Sequence, residues 1–365
     1  MNKLNLNALL TAAAVAALAL GYAGSTIAQT RAPYAGTLTP RGVPNLEGAW
    51  AYTTLTPMER PVSLGTRAVM TAKEVADAEG AVQVTRAAGR APTPKDATTE
   101  DIYKASADCH PERTNCNYND AWVDPGTYVN RINGEPRTSL ITFPANGRIP
   151  WKNGPPPPNL NFQEEKADNP EDLRPSTRCV LGFGLSFGTI FSAGLYNNNV
   201  QISQSPQAVA LISEAASMRV ARLNEQHRQS NVSQWFGDAI AHYEGATLVV
   251  ESANIHPFQR DGAGPKLKVT ERFTRVGPER LLYQFRVEDP DTFTQPWGGE
   301  QELMPTERLY EFACHEGNYG MPNILAGFRA DERAGIVRIS SASLLDGRAT
   351  GRGNNRGDET PPPAK

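Results

Sequence analysis

The stretch Leu267-Lys-Val-Thr-Glu-Arg-Phe-Thr-Arg-Val-Gly-Pro-Glu-Arg-Leu-Leu-Tyr-Gln-Phe-Arg-Val-Glu-Asp289 decides the fold. It holds two short runs rich in Val, Leu, Phe and Tyr, divided by Gly277-Pro278-Glu279. Runs of that composition bounded by turn residues read as β-strands. A connection this short makes the two strands antiparallel neighbours. Side chains on a strand alternate faces with a period of two. Leu267, Val269, Glu271 and Phe273 therefore share one face, and Tyr283, Phe285, Val287 and Asp289 line up in the same way.

Working outward, Val200–Ser205, Ala208–Glu214 and Thr247–Ile255 carry the same signature, with Pro206-Gln207 as a tight turn. Successive strands with short links form a meander. The expectation is a mainly β protein: an antiparallel meander closing into a lipocalin-like barrel or packing as a sandwich. No βαβ alternation is present, which disfavours a doubly wound parallel sheet. The 29 Pro and 31 Gly fit a chain with long loops. One N-terminal helix is expected, because Thr71 and Glu74 form a capping box ahead of an Ala-rich run reaching about Gly89.

The ends carry different signals. Lys3 precedes an uncharged apolar run from Leu9 to Leu20, and Thr26-Ile27-Ala28 offers small residues for cleavage. Residues 1–28 read as a signal peptide, since that run falls short of the ~20 residues of a bilayer span. Residues 29–44 read as an extended lead-in, 45–345 as a single β-rich domain, and 346–365 as a disordered tail with almost nothing to bury. The expected location is the periplasm or the exterior, with no stable membrane insertion. Net charge is −3 and Lys and Arg are scattered, so no nucleic-acid surface is expected.

In an oxidising compartment the four cysteines suggest two disulfides, with three possible pairings. The favoured one joins Cys109 to Cys116 across a short loop and Cys179 to Cys314 across a long one. The long closure constrains the unfolded chain most, by roughly 4–5 kcal/mol in the entropy picture. No CxxC, HxH or HExxH spacing occurs, so no metal and no cofactor are expected.

Gly48-Ala49-Trp50 resembles the Gly-X-Trp motif at the start of lipocalin-like barrels, in which the Trp closes one end of the cavity. The chain as a whole resembles a widespread family of exported bacterial proteins of unassigned function. The resemblance rests on Pro44-Asn-Leu-Glu-Gly-Ala-Trp50, Leu55-Thr-Pro-Met-Glu-Arg-Pro61, Gln234-Trp-Phe-Gly-Asp238, Tyr243-Glu-Gly-Ala-Thr-Leu-Val-Val-Glu251, Glu271-Arg-Phe-Thr-Arg275 and Ala313-Cys-His-Glu-Gly-Asn-Tyr319. It implies no particular reaction.

Glu271 stands among apolar residues on its strand face, and Glu251 stands with Val249, Ala253 and Ile255. An acid on an inward face is costly unless paired. Two such acids on neighbouring strands raise one another's pKa and can supply a general acid and base near neutral pH. Glu251 and Glu271 are the leading catalytic pair, with His242 assisting from a loop. Alternatively, each acid is latched to an arginine such as Arg272, Arg275 or Arg286 in a buried ion pair. Arg272, Tyr196, Asn198, Asp238, His256, His315 and Trp297 are candidate substrate-binding residues around a barrel mouth. Tyr196 to Asn199 also suits a simple turn.

Three functional readings remain open on the sequence. The first is an exported, cofactor-independent lyase, isomerase or hydrolase acting on a small cyclic or amphipathic substrate in the barrel cavity. The second is a non-catalytic periplasmic protein binding a small molecule. The third is an envelope structural or interaction protein.

Overall fold

The computed structural model describes residues 36–90, 95, 96, 98, 126–155, 169–173, 175–180, 185–194, 198–214, 217–229, 232–307 and 309–336. The expected signal peptide, the proposed Cys109–Cys116 bridge, Tyr196 and the expected tail lie outside the described residues.

Nine strands close a barrel. They are β1 (Gly48–Ala51), β7 (Asn199–Gln204), β8 (Ala208–Ser213), β9 (Ser217–Leu223), β10 (Asp238–Glu244), β11 (Thr247–Ala253), β12 (Lys268–Gly277), β13 (Arg280–Glu288) and β14 (Trp297–Pro305). Each pairs with the next, and β1 also pairs with β14, which closes the ring. The barrel, rather than the sandwich, is the observed solution. Closure leaves no free outer edge at the seam, and β1 is short enough to bridge it on both sides.

Eight of the nine pairings are antiparallel. The step from β9 to β10 is parallel, and only Arg222 with Ile240 and Leu223 with Ala241 pair across it. The meander rule therefore breaks at one place. A parallel step needs a longer connection, and residues 224–237 separate the two strands, with His227 lying against Glu251 of β11. Outside the ring, β4 (Ile141–Phe143) adds to β14. Two small hairpins complete the sheet structure: β2 (Arg131–Ile132) with β3 (Glu135–Pro136), and β5 (Leu185–Ser186) with β6 (Ile190–Phe191).

Helix α1 (Ala72–Arg90) starts as its capping box predicts. Glu74 N donates to Thr71 Oγ1 at 3.2 Å, and Thr71 N donates to Glu74 Oε2 at 2.7 Å. Its partner Arg67, together with the two Thr71 donors, holds the Glu74 carboxyl down at about 2. A second helix, α2 (Gly320–Arg333), was not foreseen. It packs Leu325, Met321 and Phe328 against Leu173. The Cys179–Cys314 disulfide ties the chain ahead of α2 to the same segment, as expected from sequence. Among the described residues, no helix is long and apolar enough to cross a membrane.

The core is the lumen. Trp50, Val200, Leu211, Leu248, Val250, Val269, Phe273, Tyr283, Phe285, Trp297 and Leu303 all contribute to it from the strands. The β5–β6 hairpin enters this space and fills it. Phe191 lies 5.1 Å from Tyr52 and 5.0 Å from Tyr283, ring centre to ring centre, and Phe187 lies 5.1 Å from Trp297. Gly188 is needed at the hairpin tip: its φ is +77°, and a Cβ there would sit 2.6 Å from Ile255 Cγ2. Trp151 packs against Phe293, ring centres 4.9 Å apart and planes tilted by 51°, and contributes to the same aromatic cluster. Trp50 is buried, donates Nε1–H to Leu46 O at 3.1 Å, and carries the Arg275 guanidinium over its ring.

Candidate functional site

The two glutamates expected to form a catalytic pair point to opposite faces of the sheet. Glu271 faces the lumen and is 0 % exposed. Its carboxylate is held bidentately by Arg219, itself 4 % exposed, through Nη1 to Oε2 and through Nη2 to Oε1 at 3.0 Å. Tyr283 donates its hydroxyl to Oε1 at 2.8 Å, and Arg219 also donates to Thr189 O at 3.1 Å on the β5–β6 hairpin. Burial, and then the negative charge of Glu271, push the Tyr283 phenol well above its usual value, which keeps it a donor. Every oxygen of Glu271 is thus satisfied by protein. The buried ion-pair alternative describes this residue, with Arg219 as the partner rather than Arg272, Arg275 or Arg286.

Glu251 sits on the outer wall, correcting its inward assignment. On β11 it is Leu248, Val250 and Ser252 that enter the barrel. The face was misread because Val249 is also apolar: it is covered from outside, so period two alone could not choose. Glu251 pairs with Lys268 at 3.1 Å and with His227 Nε2 at 3.0 Å. Burial works to raise its carboxyl, but Lys268 and His227 outweigh this and lower it. His242, expected in a loop, lies on β10 facing solvent. Its Nε2 contacts Glu244 at 2.9 Å, and Glu244 accepts from Arg272 at 2.7 Å. His242 and Arg272 therefore form a surface cluster away from Glu271.

The remaining candidates separate. Asn198 is buried and bonded to the backbone of Gly194: its amide accepts from Gly194 N at 2.7 Å and donates to Gly194 O at 3.0 Å. Trp297, a candidate at the barrel mouth, instead opens β14 and is fully buried in the core. His315 is exposed on the turn after Cys314. His256 caps a short 3-10 turn, accepting from Phe258 N at 3.3 Å, and packs against Trp235 with ring centres 4.1 Å apart and planes tilted by 33°. Burial and the nearby Arg260 lower its pKa.

Asp238 joins an array that the sequence did not reveal. It is buried at the start of β10, where Oδ1 accepts from Arg222 at 2.6 Å and Oδ2 from the Arg228 backbone N–H at 2.8 Å. His227 Nδ1 lies 3.2 Å from Oδ2. His227 therefore bridges Asp238 and Glu251, in a chain running from Arg222 on β9 to Lys268 on β12. Burial works to raise the Asp238 carboxyl, but Arg222, the Arg228 amide and His227 bring it down to about 2. Because the folded-state value is lowered, its stabilisation is complete above about pH 4. It is lost as pH falls from about 4 toward 2. Acid unfolding of Asp238→Asn is expected to lose that part of its pH dependence; identical acid titrations of both proteins would contradict the assignment.

Beside this array the barrel wall opens. Below their two paired residues, β9 and β10 diverge around a cleft of about 580 Å³ lined by residues including Met218, Val220, Arg228, Trp235 and Phe236. Met218 and Val220 are 61 % and 49 % exposed. Trp235 continues into a row with His256 and Phe258. Among the described residues the Arg228 guanidinium has no acidic partner. No family model, curated protein or solved structure matches this chain.

Strand β9 escaped detection because its pattern is inverted. Arg219 faces inward while Met218 and Val220 face out. A buried arginine among exposed apolar residues is understandable only once Glu271 is placed opposite it. His227 carries no sequence signal, lying in a polar stretch.

Proposed function

We propose that this is an exported, soluble protein that binds a small ligand in the cleft between β9 and β10. The observation that carries this reading is the contrast between the two sides of the wall. The lumen around Glu271 is occupied by the β5–β6 hairpin. The outer cleft instead exposes apolar side chains, an indole and an uncompensated guanidinium in one concavity. Concavities that combine apolar side chains with fixed polar groups are where small ligands bind, and this cleft adds Arg228, Ser233 and Gln234 to its apolar residues. Export is supported by the signal-like residues 1–28 and by the Cys179–Cys314 bridge, a bond that persists in oxidising compartments.

A thermal-shift series with aromatic carboxylates and acidic tetrapeptides tests the site. A ligand that binds the native state raises the melting temperature by mass action. At least one probe is expected to do so for the wild type, and Trp235→Ala is expected to abolish the shift with little change in the unliganded protein. Equal shifts in both proteins would place the ligand elsewhere.

Acid–base catalysis is a second reading and now rests on His227. Its two ring nitrogens contact Asp238 and Glu251 beside the cleft wall, an arrangement suited to moving a proton. Under this reading His227→Gln stops turnover of a cleft ligand yet retains binding. Unchanged turnover in that variant removes it.

A further inference from the structure

We propose that the cleft ligand is a short, extended peptide bearing a carboxylate, which adds as a strand along the free edge of β9. This rests on the cleft being the binding site.

The argument starts from the β8–β9 ladder. Leu223 N donates to Gln207 O at 2.8 Å, and Ala221, Arg219 and Ser217 follow opposite Val209, Leu211 and Ser213. In an antiparallel pair, alternate residues turn their N–H and C=O toward the partner strand. The odd-numbered residues of β9 therefore bond to β8. The backbone groups of Met218, Val220 and Arg222 turn the other way, toward β10. Only Arg222 and its neighbour Leu223 find β10 there, and Asn224 N then donates to Ala241 O at 2.8 Å. Past that point the strands part. Met218 and Val220 present two N–H and two C=O groups to the cleft, with no strand partner among the described residues.

An unpaired edge is a template for another strand. The two free sites are two residues apart, roughly 6.5 Å along an extended chain, and a peptide repeats its donors and acceptors at that same interval. Strand addition supplies main-chain hydrogen bonds for affinity, with alternate side chains read by what lies beside them. Here the outward neighbours are Met218 and Val220, so the peptide carries β-branched or apolar residues at alternate positions. Charge fixes the remaining requirement. Of the arginines in the wall, Arg219 is neutralised by Glu271 and Arg222 by Asp238, while Arg228 is not. A carboxylate on the peptide complements it.

The test uses the mature protein and the fluorescently labelled peptide Val-Asp-Val-Glu-Val, read by polarisation. Two analogues carry N-methyl groups on one or the other alternating set of amides, and naphthoate serves as a rigid acid without a peptide backbone. One methylated set is expected to weaken binding about tenfold, the size of one or two lost hydrogen bonds, and the other set to leave it nearly unchanged. Arg228→Gln is expected to weaken the parent peptide and flatten its salt dependence. Equal affinity for both methylated sets overturns strand addition. Binding of naphthoate but not of the peptide overturns it as well, while leaving the cleft as the site. Failure of both probes to bind, with Trp235→Ala behaving as the wild type, removes the cleft itself.

Discussion

Glu271→Gln is expected to destabilise the mature protein by about 3–5 kcal/mol, the usual cost of removing one partner from a buried ion pair. The size follows from what is left behind. Arg219 is 4 % exposed and surrounded by Phe191, Thr189 and Tyr283, so its charge loses its counter-ion without gaining water. Tyr283 also keeps only a weaker acceptor for its hydroxyl. A buried ion pair need not be worth that much in itself, because desolvating both charges cancels most of their attraction. The combined variant Arg219→Met, Glu271→Leu and Tyr283→Phe removes all three polar groups together. It is therefore expected to recover most of the loss. Urea unfolding midpoints of the two variants and the wild type check this. A Glu271→Gln cost below about 1 kcal/mol would mean that the triad is not held as described.

The double variant Cys179→Ser, Cys314→Ser is expected to show the second large effect. The bridge joins residues 135 apart, and closing a loop of that length restricts the unfolded chain by about 5 kcal/mol in the chain-entropy picture. The folded side offers little to replace it. Among the described residues, Leu173 and Leu325 are the buried members of the small cluster under α2, and they rest on the partly buried Met321 and Phe328. Burying two leucines contributes about 3–6 kcal/mol at most, against the backbone order of a 14-residue helix. Loss of the bridge is expected to release α2 and lower the helical circular dichroism before the barrel unfolds. An unchanged spectrum and an unchanged urea midpoint would contradict this.

The fold was legible wherever one face of a strand was largely apolar and the next strand followed through a tight turn. β12 and β13 satisfy both conditions: Val269, Glu271 and Phe273 lie opposite Val287, Phe285 and Tyr283 as their shared faces imply, while the register shifts between Arg275 and Gly277 beside the turn. The capping box of α1 was equally local, resting on two side chains three residues apart. β11 shows the limit. Val249 and Val250 are both buried, one under an outer covering and one in the lumen, so alternation could not assign a side to Glu251. The alternation reading set Glu251 beside Glu271 on the inward face, whereas the structure places the two on opposite faces of the wall. The sites that matter most, Arg219 with Glu271 and His227 between Asp238 and Glu251, join residues 52, 11 and 24 positions apart. No periodicity links such partners.

Sequence alone determined the β-rich class, the strands that follow tight turns, the first helix and the expectation of disulfide bonding, with Cys179–Cys314 only the favoured of three pairings. Those depend on neighbours along the chain, or on a simple count of cysteines. Tertiary structure alone decided that a hairpin would fill the lumen, that β9 and β10 would run parallel and part, and that a cleft would open outside. Those outcomes depend on how the ring closes, and a strand's own residues do not record which distant surface will cover them.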